Sequence, residues 1–452
     1  MQSFWSGSRA MFRQFTRSSL VRDASALASG AFLSQVVLFL GAPLFLMLYQ
    51  PADFGLYTFT YSTTSLIATL GTWRMERLIV VVPTRSMAIR LLAALVSMTA
   101  VTALVLLVAI ALGWEVASHF SMEIPSQWAL MWSAPLSVFI LITTMGLRSY
   151  AMRIGRFKVV SVAQVTRAVI FVSGTALTPL VWTPPAGHGA LVMVLWQLVG
   201  DVCALAIQLW ILPGNVHRLV FRPRLRRNLA TLRTHRKTIG ALALSQIVAS
   251  VNQQIPISTI MFAFGATEAG WYSLAGSLVY APCRVVSAAV SDVFNQRVSR
   301  LHAERKPFSW LVLRATIAMA GIGLIPFILI RDLGPLFLSY VAGPQWQSAS
   351  HSIAMMAIAS YMYFISQPAS NVALIVDARR YIVLWHVIRT VNFLAIGAAA
   401  ALGYLSYTGW LVLFVIAESF VYLLDTVVEY LFARNAEPRK VETSGEEETA
   451  HA

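Results

Sequence analysis

Four arginines stand inside long apolar runs: Arg167, Arg284, Arg314 and Arg389. A cation at the centre of a bilayer costs about 3 kcal/mol or more, so each must face a wet cavity, pair with an acid or snorkel to the surface. A guanidinium offers a planar fork of donors, which suits a phosphate or a carboxylate better than a lysine point charge does. Asp201, Glu418, Asp425 and Glu429 also lie in apolar runs. Glu418, Asp201 and Asp425 are either arginine partners in buried pairs or sites that couple a proton or sodium ion. Asn252, Gln253 and Gln254 interrupt another run, where they either line a cavity or hydrogen-bond between helices. Arg74 and Arg77 sit at the mouth of the same apolar system. No other catalytic or metal chemistry is visible. Cys203 and Cys283 fall in apolar runs as small buried thiols, with no CxxC or His/Cys cluster. No GxxxxGK[ST] loop supplies an ATP motor, and the residues imply neither a cofactor nor a metal.

These side chains are positioned by membrane spans. The chain has 452 residues, 58% apolar and 12% charged, with mean hydropathy +0.69. That composition describes a polytopic, all-α membrane protein. The twelve runs lie near residues 24–48, 54–73, 91–113, 128–147, 160–180, 190–212, 241–264, 270–291, 309–330, 352–375, 382–402 and 410–432. The net charge of +15 lies in small groups between runs and not in a nucleic-acid footprint. Of the 34 Lys and Arg residues, all but Arg331 and the four in-span arginines fall in segments that alternation puts on one side. The positive-inside rule makes that side cytoplasmic, both termini included. Trp114, Trp128, Trp182, Trp346 and Trp410 fall near the opposite ends of the runs, as an aromatic belt would.

At about 1.5 Å per helical residue, Arg167 and Arg389 lie roughly 13 Å into the membrane from their basic loops, Arg314 about 12 Å and Arg284 about 20 Å. Arg314 is shallow enough to snorkel. Arg284 has Asp292 two turns away as an alternative partner. Five segments follow: a basic amphipathic start over 1–23, a six-helix lobe over 24–212, a basic cytoplasmic linker over 213–240, a second lobe over 241–433 and a polar tail over 434–452.

The lobes repeat one another. Ser34-Gln35-Val36, Pro43 and Asp53-Phe54-Gly55-Leu56-Tyr57 recur in order as Ser245-Gln246-Ile247, Pro256 and Glu268-Ala269-Gly270-Trp271-Tyr272. The motif glycines are expected at tight turns that need a positive φ. Arg167 and Arg389 occupy the same depth in the fifth span of each half, so the lobes should be related by a pseudo-two-fold along the membrane normal.

The chain resembles the polysaccharide-transporter family of the multidrug/oligosaccharidyl-lipid/polysaccharide flippase superfamily. The resemblance rests on Pro51–Tyr57, Arg74–Pro83, Arg156-Phe157-Lys158, Phe264–Tyr272, Gly343–Trp346 and Gln367–Ser370. One departure is Met75, where the family's R-Y-E has tyrosine. The resemblance implies two six-helix lobes in a V. By alternating access they would carry a lipid-diphosphate-linked oligosaccharide across the bacterial inner membrane for O-antigen or exopolysaccharide synthesis. It implies polymerase and chain-length machinery as further partners, and no nucleic acid. Within the same superfamily a multidrug or cation antiporter is the nearest alternative, but its deep sites should be acidic and these lean basic. A membrane polymerase or ligase would need a catalytic outer loop. Residues 331–350, the longest outer loop expected, offer only Arg331 and Asp332.

Overall fold

The computed structural model describes residues 19–119, 128–182, 184–185, 187–211, 240 and 247–436. The basic start up to residue 18, the linker apart from Gly240 and the tail from residue 437 lie outside them. So does the side chain of Asp292. Among the described residues all regular structure is helical. The first half holds α1 (Ser19–Leu48), α2 (Pro51–Gly71), the short α3 (Met75–Val81), α4 (Arg85–His119), the single turn α5 (Trp128–Met131), α6 (Ala134–Arg153), α7 (Phe157–Val181) and α8 (Gly189–Ile211). The second holds α9 (247–263), α10 (Ala266–Ala303), α11 (Ser309–Val341), α12 (Ala349–Ser366), the single turn α13 (Val372–Ile375), α14 (Arg379–Ala401) and α15 (Tyr407–Asn435).

The long helices follow the twelve apolar runs in order. Among the described residues, eight are long and apolar enough to cross a membrane. Of the others, α2, α10 and α12 owe their lower hydropathy or shorter length to where they sit, since α2 and α10 pack on one another across the two halves and α12 packs behind α10, whereas α9 is described only from residue 247. A helix that faces helices and water does not need the lipid-facing composition of its neighbours.

Several boundaries differ from the expected ones. α11 runs on to Val341, so Arg331 and Asp332 are helical and the expected long loop shrinks to the turn at Pro344–Trp346. The expected tenth span breaks at Ser366, before Gln367-Pro368, because proline cannot continue the hydrogen-bond ladder. α6 continues past the end of its apolar run to Arg153 and carries Arg148 with it. The loop after α2 folds into α3, whose Met75 and Ile79 are wholly buried. Glu304, just past α10, accepts bonds from Lys306 and Arg300 at 2.8 Å each. Those two cations hold its carboxyl down at about 2 and pin the turn into α11.

The packing separates two ends of the molecule. Where the motifs lie, one apolar core joins both halves, including Tyr49 and Phe54 from the first and Trp346, Trp410 and Phe414 from the second. Where the basic loops lie, each half keeps its own core. One is built on Met75, Leu91, Leu147 and Tyr150, the other on Phe294, Val298, Phe308 and Val312. The halves are therefore joined at the motif end and part toward the basic end.

The glycine reading is corrected here. Gly55 and Gly270 are interior to α2 and α10, and neither has a positive φ. A Cβ on Gly55 would stand 1.9 Å from the Ala266 carbonyl oxygen, and one on Gly270 would stand 1.9 Å from that of Pro51. The two motifs are thus each other's contact, and glycine is there to let backbones meet. The positive φ belongs to Gly265, at +117°, before α10. Thr58 donates to Ser273 across the same seam at 2.9 Å. Two tryptophans of the expected belt are corrected as well. Trp346 is wholly buried and Trp410 is 2% exposed. The Trp346 indole donates to the Tyr49 carbonyl at 3.2 Å and packs edge-on against Phe54, so it closes the seam and does not face lipid.

Candidate functional site

The repeat puts an ion pair at corresponding places in the two halves, each between the fifth and sixth long helix. In the first half, Arg167 on α7 reaches Asp201 on α8. Gly200 lets the helices close there, since a Cβ would lie 3.0 Å from the Arg167 carbonyl oxygen. The contact is a single one of 3.4 Å, long for a charge-assisted bond. Asp201 is 4% exposed. Gln197, one turn earlier on α8, donates to its other oxygen at 3.1 Å. Tyr57, the motif tyrosine, donates to Gln197 at 3.2 Å. A chain of polar contacts therefore runs from the motif of α2 to the acid that holds Arg167.

In the second half, Arg389 on α14 grips Glu418 on α15 with two parallel bonds of 2.9 Å, and gives a third to the Tyr422 hydroxyl at 2.9 Å. Its guanidinium also lies over the rings of Phe393 and Tyr422. Asn252 on α9 ties to α14 by accepting from Thr390 at 2.7 Å and donating to the His386 carbonyl at 3.3 Å. Gln254 bonds Thr63 of the other half at 3.0 Å, whereas Gln253 is exposed.

Arg167 keeps 38% of its side-chain surface accessible and Arg389 25%, yet both are desolvated by surrounding protein. A group that is accessible and surrounded by protein at once lies in a recess between helices. Since the halves part toward the basic end, that recess opens there.

Two more cations join these pairs. Arg148 on α6 is exposed and lies within electrostatic reach of Arg167. Arg284 on α10 is exposed, and both it and Arg389 act on Tyr272 and Tyr363. Neither Arg148 nor Arg284 forms an ion pair with a described residue. Arg314 is placed differently: it is exposed and its guanidinium lies 5.0 Å above the ring of Trp310 on its own helix. Arg74 is half-buried before α3, with a φ of 60°, and Arg77 is exposed in the first turn of that helix. Asp425 accepts from the Tyr381 hydroxyl at 2.7 Å, and Glu429 accepts from the Ala373 amide. No cation bridges either acid among the described residues. Cys283 is buried and Cys203 partly so, both as free thiols. Among the described residues no group of three His, Cys, Asp or Glu side chains is close enough to hold a metal.

Reasoning from the sequence alone missed Arg148, Gln197 and Tyr422. Arg148 had one visible sign: it lies eight residues before Arg156, close enough for the helix to continue past the apolar run.

Residues 47–351 match the family described as "Polysaccharide biosynthesis protein" (Polysacc_synt_3). Among curated proteins no relative matches. Solved structures match over most of the chain. An inward-facing multidrug resistance MATE family transporter of the MOP superfamily is similar with a TM-score of 0.64 at 14% identity, over 89% of this chain and 95% of its own. The lipid II flippase MurJ, in an inward closed conformation, is similar with a TM-score of 0.64 at 12% identity, over 91% and 90%. An outward-facing MATE transporter gives 0.58 at 13% identity, over 92% and 95%. At these identities the likeness is one of fold alone, the fold that these transporters share.

Proposed function

The chain belongs to the polysaccharide biosynthesis protein family, and from that premise we propose that it is a flippase. It carries a lipid-diphosphate-linked oligosaccharide from the cytoplasmic to the periplasmic leaflet by alternating access. The observation that carries this reading is the set of four accessible arginines on long helices, Arg148, Arg167, Arg284 and Arg389, of which only Arg167 and Arg389 bridge acids among the described residues. A diphosphate cannot cross bare hydrocarbon, where an ion costs tens of kcal/mol by a Born estimate. It needs a cationic path while its lipid tail stays in the bilayer. In this reading the basic end faces the cytoplasm, which the cation asymmetry of the loops supports, and both termini lie on that side of a bacterial inner membrane. The head group is then taken up from the cytoplasm, and the seam at Gly55 and Gly270 parts to release it. The inside-negative potential favours export by about 2.3 kcal/mol per charge per 100 mV. O-antigen or exopolysaccharide repeat units are the cargo in this reading, and polymerase or chain-length machinery the receiving partners. Arg314 is left outside the grip, as a snorkelling residue. Arg74 and Arg77 stand at the mouth.

Purified protein in liposomes tests this directly. It should translocate a fluorescent prenyl-diphosphate oligosaccharide without nucleotide, and faster when the face corresponding to the cytoplasm is negative. A strict requirement for ATP would overturn the reading.

A cation-driven antiporter is a second reading, favoured by one observation: Asp425 and Glu429 are buried one turn apart with only neutral donors in described contact. Uptake of an organic cation driven by a proton gradient, absent in D425N, would establish it in place of the flippase.

A further inference from the structure

The two repeat-related ion pairs differ in a way that assigns them different work, and the following inference rests on the transport reading above. We propose that Arg167 is an exchangeable anion site. On arrival of a diphosphate its guanidinium leaves Asp201 for one phosphate, and Arg148 takes the other.

Three features of the site support this. The Arg167–Asp201 contact is single and long at 3.4 Å, and Tyr61, which also bonds the guanidinium, keeps a partner on Arg167 when it opens. Asp201 is not stranded by the exchange, because Gln197 already donates to its second oxygen and is itself held by Tyr57. A buried carboxylate is expensive to leave unpaired, and this one keeps a donor. Lastly, Arg148 is exposed on the neighbouring helix, within electrostatic reach of Arg167 and with no described acid of its own. Two like charges within reach of one another are unfavourable in isolation and suit a ligand carrying two negative charges. In the second half Arg284 likewise has no described acid, but Arg389 there spends its fork on both oxygens of Glu418 and on Tyr422.

The chemistry that this site recognises is a diphosphate, whether on a lipid or free. Full-length protein in nanodiscs, titrated calorimetrically with farnesyl diphosphate and separately with inorganic diphosphate, tests the assignment. R148Q and R167Q should each weaken farnesyl diphosphate binding about tenfold or more, the loss expected for a charge-assisted bond. D201N should strengthen it severalfold, because the competing carboxylate is gone. The gain from D201N separates the exchange from simple misfolding, which would only weaken binding. Wild-type affinity in R148Q, or unchanged or weaker binding in D201N, would overturn the proposal. Equal affinity for inorganic diphosphate would overturn the lipid head group as the ligand. If this binding pattern holds but wild-type liposomes fail to flip the lipid, the anion site stands and the transport reading falls.

Discussion

Arg167 and Arg389 occupy matching positions in the two halves, and the surroundings of each decide what it can do. Arg389 is locked by two bonds to Glu418, by Tyr422 and by two aromatic faces. Glu418 is 2% exposed and so cannot lose its partner cheaply. Arg167 has one long bond to its acid, a contact with Tyr61, more accessible surface and a second cation within electrostatic reach. A duplicated sequence thus begins with two equal pairs, and packing turns one into a strut and leaves the other free to act. The lesson is that internal symmetry predicts where a charged group lies but not how tightly it is held.

The sharpest way to break this comparison is to remove each arginine in turn. Arg389→Ala leaves a buried carboxylate with no counter-charge, so it should cost about 3–5 kcal/mol and lower both thermal stability and membrane abundance. Arg167→Ala leaves Asp201, itself 4% exposed, with Gln197 as its remaining donor, and should cost less, about 1–3 kcal/mol. Its protein level should stay near normal while export fails. Thermal melts of the two detergent-purified variants measure the difference. Equal losses of stability would mean that the pairs are equivalent after all.

Symmetry is retained at the motif end, and that region gives the opposite expectation. Gly55 and Gly270 make reciprocal backbone contacts with no room for a Cβ. Gly55→Ala and Gly270→Ala should each cost about 1–3 kcal/mol, the usual penalty of overpacking, and by similar amounts. Both should shift the protein toward a state open at the motif end, read as greater thiol labelling of a cysteine introduced at Thr58. A large difference between the two variants would show that the seam is as asymmetric as the ion pairs.

Much of this arrangement was legible in the sequence, within definite limits. The order of the twelve spans and the matching depth of Arg167 and Arg389 follow from apolar runs and charge spacing, because a bilayer imposes both on the chain directly. Hydropathy reports the solvent around a residue and not its neighbours, and the misreadings share that cause. Arg148 looked like a loop residue because the apolar run ends at Leu147, although the helix does not end until Arg153. Trp346 and Trp410 looked interfacial, yet they fill the seam between halves. Gly55 and Gly270 looked like turn residues because an acid precedes each by two positions. Only the contact between α2 and α10 shows that they were selected for closeness.

The smallest expected effect concerns how the two regions communicate. Tyr57 belongs to the motif that closes the seam, and its hydroxyl donates to Gln197, which holds Asp201. Tyr272, its counterpart, packs edge-on against Trp410 and Phe414 and makes no such polar chain among the described contacts. Tyr57→Phe removes one buried hydrogen bond and should cost about 0.5–1.5 kcal/mol in stability. Its more telling consequence should be in binding. Gln197 loses its anchor and holds Asp201 less well during exchange, so the affinity for farnesyl diphosphate should fall a fewfold. Tyr272→Phe should leave that affinity unchanged, because no hydroxyl contact links it to the Arg167 site. Measuring both variants by the same calorimetric titration compares one half with the other at the level of a single oxygen atom. If the two variants bind alike, the chain from the motif to Arg167 carries no coupling, and the looseness of the first pair is a local property of α7 and α8.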